Sequence, residues 1–574
     1  MMNGLVRMML LCVVLLVGCA PSGTGSNRAG SEAQGQGQTR QSSGPKTLVA
    51  AINEDPRNMW DGINGGGGGG AREIGHMLNQ YLANINPDGS AVPRLLAEFP
   101  SVEKGTWVVL PDGRMEVTYK LRPGVTWHDG TPFTADDMVF SWEVGRDRDV
   151  PNGNALAVRS IESMVAQDPQ TAVATWNQTY AFADRLEHRE FFPLPKHLVE
   201  SAYRESKETL AAQPYFSERF VGLGPFKLTS WEHGSHMEMV ANDSYFLGRP
   251  KLDRVRVMFI ADPNTGIANM RAGQLNVYLP TGGPGFDELQ PLDQEWKTTG
   301  KGQVVLERVR WMFIEAQKSA AATPADLRDP RMRQALLMAT NREELSQSLQ
   351  GEYWGVAHGF VHPSAGNYAQ LKAGITEYPF DTRRALALLA ELGWTPGSDG
   401  ILQKGGTRFQ IGIRAEEARD KEAAIVQQDW KAIGIDGQID ILSAALLRDA
   451  ETRANFTGVA INQNPLGGVS AVRRFTTAQI PTANNRWAGT NRGAYAYPEW
   501  DDVGGRLRTT LDESARIDLE RELLRVLTTD LPAMPIQYEL QAIPTAGFKG
   551  FVPVTGAAHT GNIMHTTNVH EWDM

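Results

Sequence analysis

His128 stands directly before Asp129, and an imidazole held by a carboxylate is a common general-base pair, so these two residues raise the question of catalysis first. Neighbours on an extended chain point to opposite sides, so the pair need not meet. Asp129-Gly130 reads instead as a turn in which the carboxylate accepts from local backbone amides. The six glycines at 65–70 could cradle a phosphate with bare amides, but no Lys-Ser or Lys-Thr follows, and a loop near a ligand cleft is the better reading. There is no His-Glu-x-x-His and no Gly-x-Ser-x-Gly, and Ser43-x-x-Lys46 falls in a polar N-terminal stretch. His188 and His197 lack Cys or carboxylate partners at metal-ligand spacing, so both read as structural. No catalytic residue, no metal site and no cofactor is expected.

Cys19 has a better-defined chemistry. The N-terminus reads MMNGLVRMMLLCVVLLVGC, with Arg7 ahead of an apolar core of about ten residues, too short to span a bilayer. Leu16-Val17-Gly18-Cys19 looks like a bacterial lipobox: small residues at the cut and a nucleophilic sulfur directly after it. An ordinary signal peptide with an incidental Cys is the alternative. The other of the two cysteines, Cys12, falls inside the segment that would be removed, which leaves no disulfide. Residues 1–18 are thus expected to be a lipoprotein signal, Cys19 the lipidated residue, and 19–46, rich in Gly, Ser and Gln, a flexible tether. The folded part would lie outside the cytoplasmic membrane, in the periplasm or at the cell surface.

A chain of 574 residues is long enough for about two or three domains. Its net charge of -10, with no basic cluster, argues against nucleic acid. No internal repeat suggests a solenoid or propeller.

Several elements can be placed. Met115, Val117, Tyr119 and Leu121 alternate with Glu116, Thr118 and Lys120, the period of a half-buried strand. Pro123-Gly124 turns the chain, Thr134 and Asp137 have capping-box spacing, and Met138, Val139 and Trp142 form a helical apolar stripe. Further strands are expected at 48–52, 226–231, 236–241, 255–260, 435–442 and 535–538. Helices are expected at 76–82, 263–271, 327–349, 381–394, 423–434 and 512–527.

The run YKLRPGVTWHDGTPFTADDMVFSW at 119–142 closely resembles the signature of the oligopeptide-binding family, the solute-binding proteins of peptide, dipeptide and nickel ABC importers. VPRLLAEFP at 92–100, FFPLPKH at 191–197, GLGPF at 222–226 and PIQY at 535–538 continue the likeness from about residue 48 to 551. Asn276 departs from it, where the pattern usually carries Asp. The resemblance implies an α/β, periplasmic-binding-protein-like fold: two mixed α/β lobes, a hinge of two crossing strands near 305–315 and 535–539, and an extra α+β domain on the first lobe. Lobe I would comprise 47–90, 214–304 and 535–574, the extra domain 91–213, and lobe II 305–534. It further implies a monomeric, non-enzymatic, lipid-anchored importer component that captures a ligand by lobe closure. ABC permease and ATPase subunits would be its partners.

Peptide binders of the family hold the ligand's ammonium with an Asp in a stretch resembling Trp-x-x-Asp-x-x-x-Pro, and GVAINQNPLGG at 458–468 has neither the Trp nor the Asp. A buried ammonium would lack its counter-charge, so an N-modified peptide or a neutral, sugar-like ligand such as an oligosaccharide gains ground. Asn462, Gln463 and Asn464 offer uncharged donors and acceptors, unless they form a polar surface turn. Trp311, Phe313, Glu315 and Gln317 on the first hinge segment can face the cleft, with core packing the alternative for the aromatics. Trp487 and Tyr538 are further candidates, and Arg473-Arg474 can meet a carboxylate or stay solvated. An extracytoplasmic hydrolase and a sensing receptor on the same fold remain the alternatives.

Overall fold

The computed structural model describes residues 44–60, 70–150, 156–279, 283–443, 445–555 and 564–574. Cys19, the signal segment, nearly all of the tether and glycines 65–69 lie outside the described residues.

Ten strands form one mixed sheet. In spatial order they are Asp436–Leu442, Gln410–Glu416, Val459–Pro465, Gln303–Ala316, Ala533–Thr545, Val277–Tyr278, Thr47–Ile52, Arg254–Phe259, His236–Ala241 and Phe226–Glu232. The fourth and fifth are the hinge strands, antiparallel from Gln303 opposite Thr545 to Glu315 opposite Ala533. Both are rich in β-branched and aromatic residues, which suit a pleated, buried surface. Their register slips between Arg308 and Arg310 and between Trp311 and Phe313, and such bulges add twist to the pair. Strands on one side of the pair build lobe I and those on the other build lobe II.

Alternation along the hinge strand divides lobe II into two cores. Met312, Ile314 and Ala316 pack with Leu336, Ile413 and Trp430, while Trp311 and Phe313 pack with Phe475, Trp500 and Tyr538. The extra domain has its own antiparallel sheet, Trp107–Val109, Met115–Lys120, Thr171–Trp176 and Ile161–Asp168 in that order, covered by the helix Ala135–Arg146. Asp137 Oδ2 accepts from Thr134 N at 3.0 Å, one arm of the capping box. His128 and Asp129 do not form a catalytic pair: His128 Nδ1 accepts from Gly222 N and Nε2 faces Gly224 O, both at 3.1 Å. Burial pushes His128 down to about 4, so it is a neutral strut. Asp129 accepts from Thr131 N (2.9 Å) and meets His197 Nε2 (2.7 Å).

Some elements differ from expectation. The helix expected at 76–82 is Ala71–Leu78, and it stops where Gly224 presses on it: a Cβ there would lie 2.3 Å from the Leu78 carbonyl carbon. The helix expected at 327–349 is two, Pro330–Met338 and Arg342–Gln350, because Asn341 caps the second through Glu344 N. The strand at 535–538 runs on to Thr545, held by its long partner.

Lobe I contains a buried ion cluster. His565 Nδ1 meets Glu73 Oε1 at 2.6 Å and Nε2 meets Glu307 Oε2 at 2.7 Å. Thr566 N and Oγ1 bond Glu73 Oε2, and Val554 N donates to Glu307 Oε1 at 2.7 Å. Burial alone would depress His565, but the two glutamates outweigh it and push it up to about 10. Burial would likewise raise Glu73, yet His565 and Thr566 hold it down to about 2. Near the chain ends, Lys46 N donates to Asp253 Oδ2 at 2.8 Å and Lys46 Nζ pairs with Asp573.

Candidate functional site

The site is built on the far end of the hinge strand Gln303–Ala316, where an acid follows an apolar run. Glu315 is almost fully buried, at 1% exposure. Its Oε2 accepts from Arg474 (3.0 Å) and Asn462 Nδ2 (2.8 Å), and Oε1 from Gly493 N (2.8 Å). Gly493 permits that contact, since a Cβ would sit 2.5 Å from Ala316 O. The Arg474 guanidinium also lies over Phe313, 5.0 Å from the ring centre. Of the Arg473-Arg474 pair, Arg474 therefore meets a carboxylate.

The stretch 458–468 is not a surface turn but carries the strand Val459–Pro465, antiparallel to the hinge strand, with Asn462 opposite Phe313 and Asn464 opposite Trp311. All three of its amides are engaged within the protein. Asn462 serves Glu315, Asn464 Nδ2 reaches Ser470 Oγ at 3.3 Å, and Gln463 Oε1 accepts from Arg419 at 2.8 Å. Arg419 also bonds Glu539, and with Arg310 it holds that carboxyl below its usual range although burial alone would raise it. Trp311 and Phe313 are fully buried in the lobe II core. Tyr538 is buried beside them, its hydroxyl on Val361 O and its ring 4.6 Å from that of His362. Trp487 stands apart, half-buried, on a turn with φ 60°.

The facing wall comes from lobe I and the extra domain. His76 and His188 stack edge to face with ring centres 5.2 Å apart. Both ring nitrogens of His76 and Nε2 of His188 are buried without a hydrogen-bond partner among the described residues. Burial depresses both, His76 to about 4, so both are neutral. Glu190, raised to about 8 by burial and Glu187, is protonated at neutral pH. Arg473 of lobe II acts on His188 and Glu190, so this wall faces the helix Gly468–Phe475. The walls also touch where Ala181 N donates to Arg508 O (2.6 Å) and where Lys421 pairs with Asp287. No local signal marks His76, which meets His188 by folding alone. Among the described residues, no group of three or more His, Cys, Asp or Glu is placed to hold a metal.

Two α/β lobes sharing paired hinge strands define a solute-binding protein fold. Residues 100–470 match the family described as bacterial extracellular solute-binding proteins, family 5 Middle, and the chain belongs to that family. The oligopeptide-binding protein AppA of Bacillus subtilis is 28% identical over 351 residues, 58% of this chain and 60% of that protein. An oligopeptide-binding protein of Thermus thermophilus, solved with a pentapeptide, superposes with a TM-score of 0.75 at 24% identity, covering 92% of this chain and 97% of that one. NikZ of Campylobacter jejuni, solved with Ni(L-His), gives 0.74 at 21% identity over 92% and 99%. No helix among the described residues is long and apolar enough to cross a membrane.

Proposed function

We propose that this chain captures peptides outside the cytoplasmic membrane and delivers them, by closing its lobes, to the permease of an ABC importer. The observation that carries the reading is the pair of hinge strands, each fixed in both lobes, so that lobe motion concentrates in one short segment. The relatives named as oligopeptide-binding proteins support peptides as the ligand class. The engaged amides of Asn462, Gln463 and Asn464 weaken the oligosaccharide alternative, since each already has one of its two terminal atoms bonded within the protein. Lobe I comprises 47–90, 214–304 and 535–574, the extra domain 91–213 and lobe II 305–534, and Cys19 carries the lipid anchor.

Protein purified without denaturation should release peptides on unfolding, identified by mass spectrometry, and rebinding should change intrinsic tryptophan fluorescence. Repeated recovery of a non-peptide ligand, or none together with silence to a peptide pool, would sink the reading. Replacing Cys19 with Ala should abolish incorporation of labelled fatty acid and release the protein from membranes.

A further inference from the structure

Three segments of lobe II converge on the end of the hinge strand. Gln317 Nε2 donates to Phe456 O (3.0 Å) and Arg492 O (3.3 Å), while Glu315 holds Gly493 N and Arg474. These bonds gather the helix Ala450–Ala454, the turn at 491–493 and the helix Gly468–Phe475, and each supplies an arginine: Arg453, Arg492 and Arg474. A fourth, Arg57, belongs to lobe I, exposed in the loop after the strand Thr47–Ile52. It is near enough to Arg453 to act on it across the cleft.

Charge does not balance here. Both oxygens of Glu315 are taken by Arg474, Asn462 and Gly493. Glu416, the other acid that acts on Arg492, lies 3.8 Å from Arg419 and is shared with it. Asp449, which acts on Arg453, caps that arginine's own helix by accepting from Thr452 N at 2.6 Å. The Nε atoms of Arg453 and Arg474 are buried with no hydrogen-bond partner, and no ion pair joins Arg453 or Arg492 to an acid among the described residues. Burial, then Arg474 and Arg453, push Arg492 down to about 10, the mark of a guanidinium short of counter-charge. Such groups are costly to enclose until an anion arrives.

We propose that Arg453, Arg474 and Arg492 form an anion subsite of the ligand cleft, taking a carboxylate or comparable anionic group of the ligand, and that Arg57 closes on the same group from lobe I. The proposal rests on the capture reading above and names its ligand class: an anionic group is required, and a free ammonium is not. It also supplies a reason for the empty protein to stay open. Without an anion, closure drives Arg57 towards Arg453; with one, the same arginines attract, which is the preference for the closed state that ligand-driven closure requires.

The test titrates the chain with a pentapeptide pool in three forms: unmodified, amino-acetylated and carboxyl-amidated. Calorimetry should show that acetylation costs little and amidation costs about ten- to a hundredfold in affinity, the worth of charge-assisted hydrogen bonds. Arg492→Gln should erase most of that difference, and Arg492→Lys should keep part of it. Equal affinity for the amidated and unmodified pools overturns the subsite. Should Arg492→Gln fail to fold, exposed Arg57→Gln serves instead: small-angle scattering of the ligand-free variant should show a more closed molecule, and an unchanged profile counts against the proposal. If no pool binds, peptide capture fails separately, and the subsite is judged on citrate and sulfate. Thermal stabilisation by these anions that Arg492→Gln abolishes upholds it, and no stabilisation overturns it.

Discussion

Two clusters of enclosed charge differ in whether their needs are met. Around His565, both imidazole nitrogens and all four oxygens of Glu73 and Glu307 have partners, two of the glutamate oxygens from the imidazole itself. Around Arg492, three guanidiniums have one committed acid, part of another and the helix-capping Asp449 to share, and among the described residues two buried Nε atoms have no acceptor. Desolvation penalises both clusters alike, and only the first offsets it within the chain. A satisfied cluster reads as architecture; one that lacks a counter-charge reads as a place kept for something else.

Removing the imidazolium should break this contrast hardest. His565→Ala leaves two buried carboxylates without their cation and should cost about 3–5 kcal/mol in urea unfolding. A loss under about 1 kcal/mol would show that the cluster is not paired in solution. Next comes Glu315→Gln, which strips Arg474 of its charge partner and should cost about 3 kcal/mol. Adding Arg474→Gln should cost less than the sum of the single changes, because the two side chains share one interaction; strict additivity would show them independent.

The pH dependence sharpens the comparison. His565 rises from its ordinary 6.5 to about 10 in the fold, so its contribution is complete below pH 6.5 and lost as pH climbs through 10. Glu73 falls from 4.5 to about 2, so its contribution is present above pH 4.5 and lost as pH drops through 2. Melting temperature should therefore decline between pH 7 and 10, and the decline should flatten in His565→Gln. A flat wild-type profile over that range would contradict the assignment. The smallest effect belongs to Lys421→Ala, at an exposed pair with Asp287, expected below about 1 kcal/mol and absent at high salt.

Local signals in the chain were enough for local elements. The strand His236–Ala241 and the helix Pro263–Arg271 lie where the sequence pattern places them. The helix expected at 327–349 ran together two because Asn341, a cap, sits inside a continuous apolar pattern. The charge clusters were beyond reach for a different reason. His565 and Glu73 are 492 positions apart, and Arg474 and Glu315 are 159 apart, so nothing near any of them announces its partner. Glu307 and Glu315, acids inside apolar strand sequence, are the one hint that buried ion pairs were coming.

The contact between Lys46 and Asp573 has a mechanical meaning. Lys46 is fixed to Asp253 as well, in the same lobe. A pull applied at Pro45 would therefore be borne by lobe I and bypass both hinge strands. Lobe II would then swing without working against that pull.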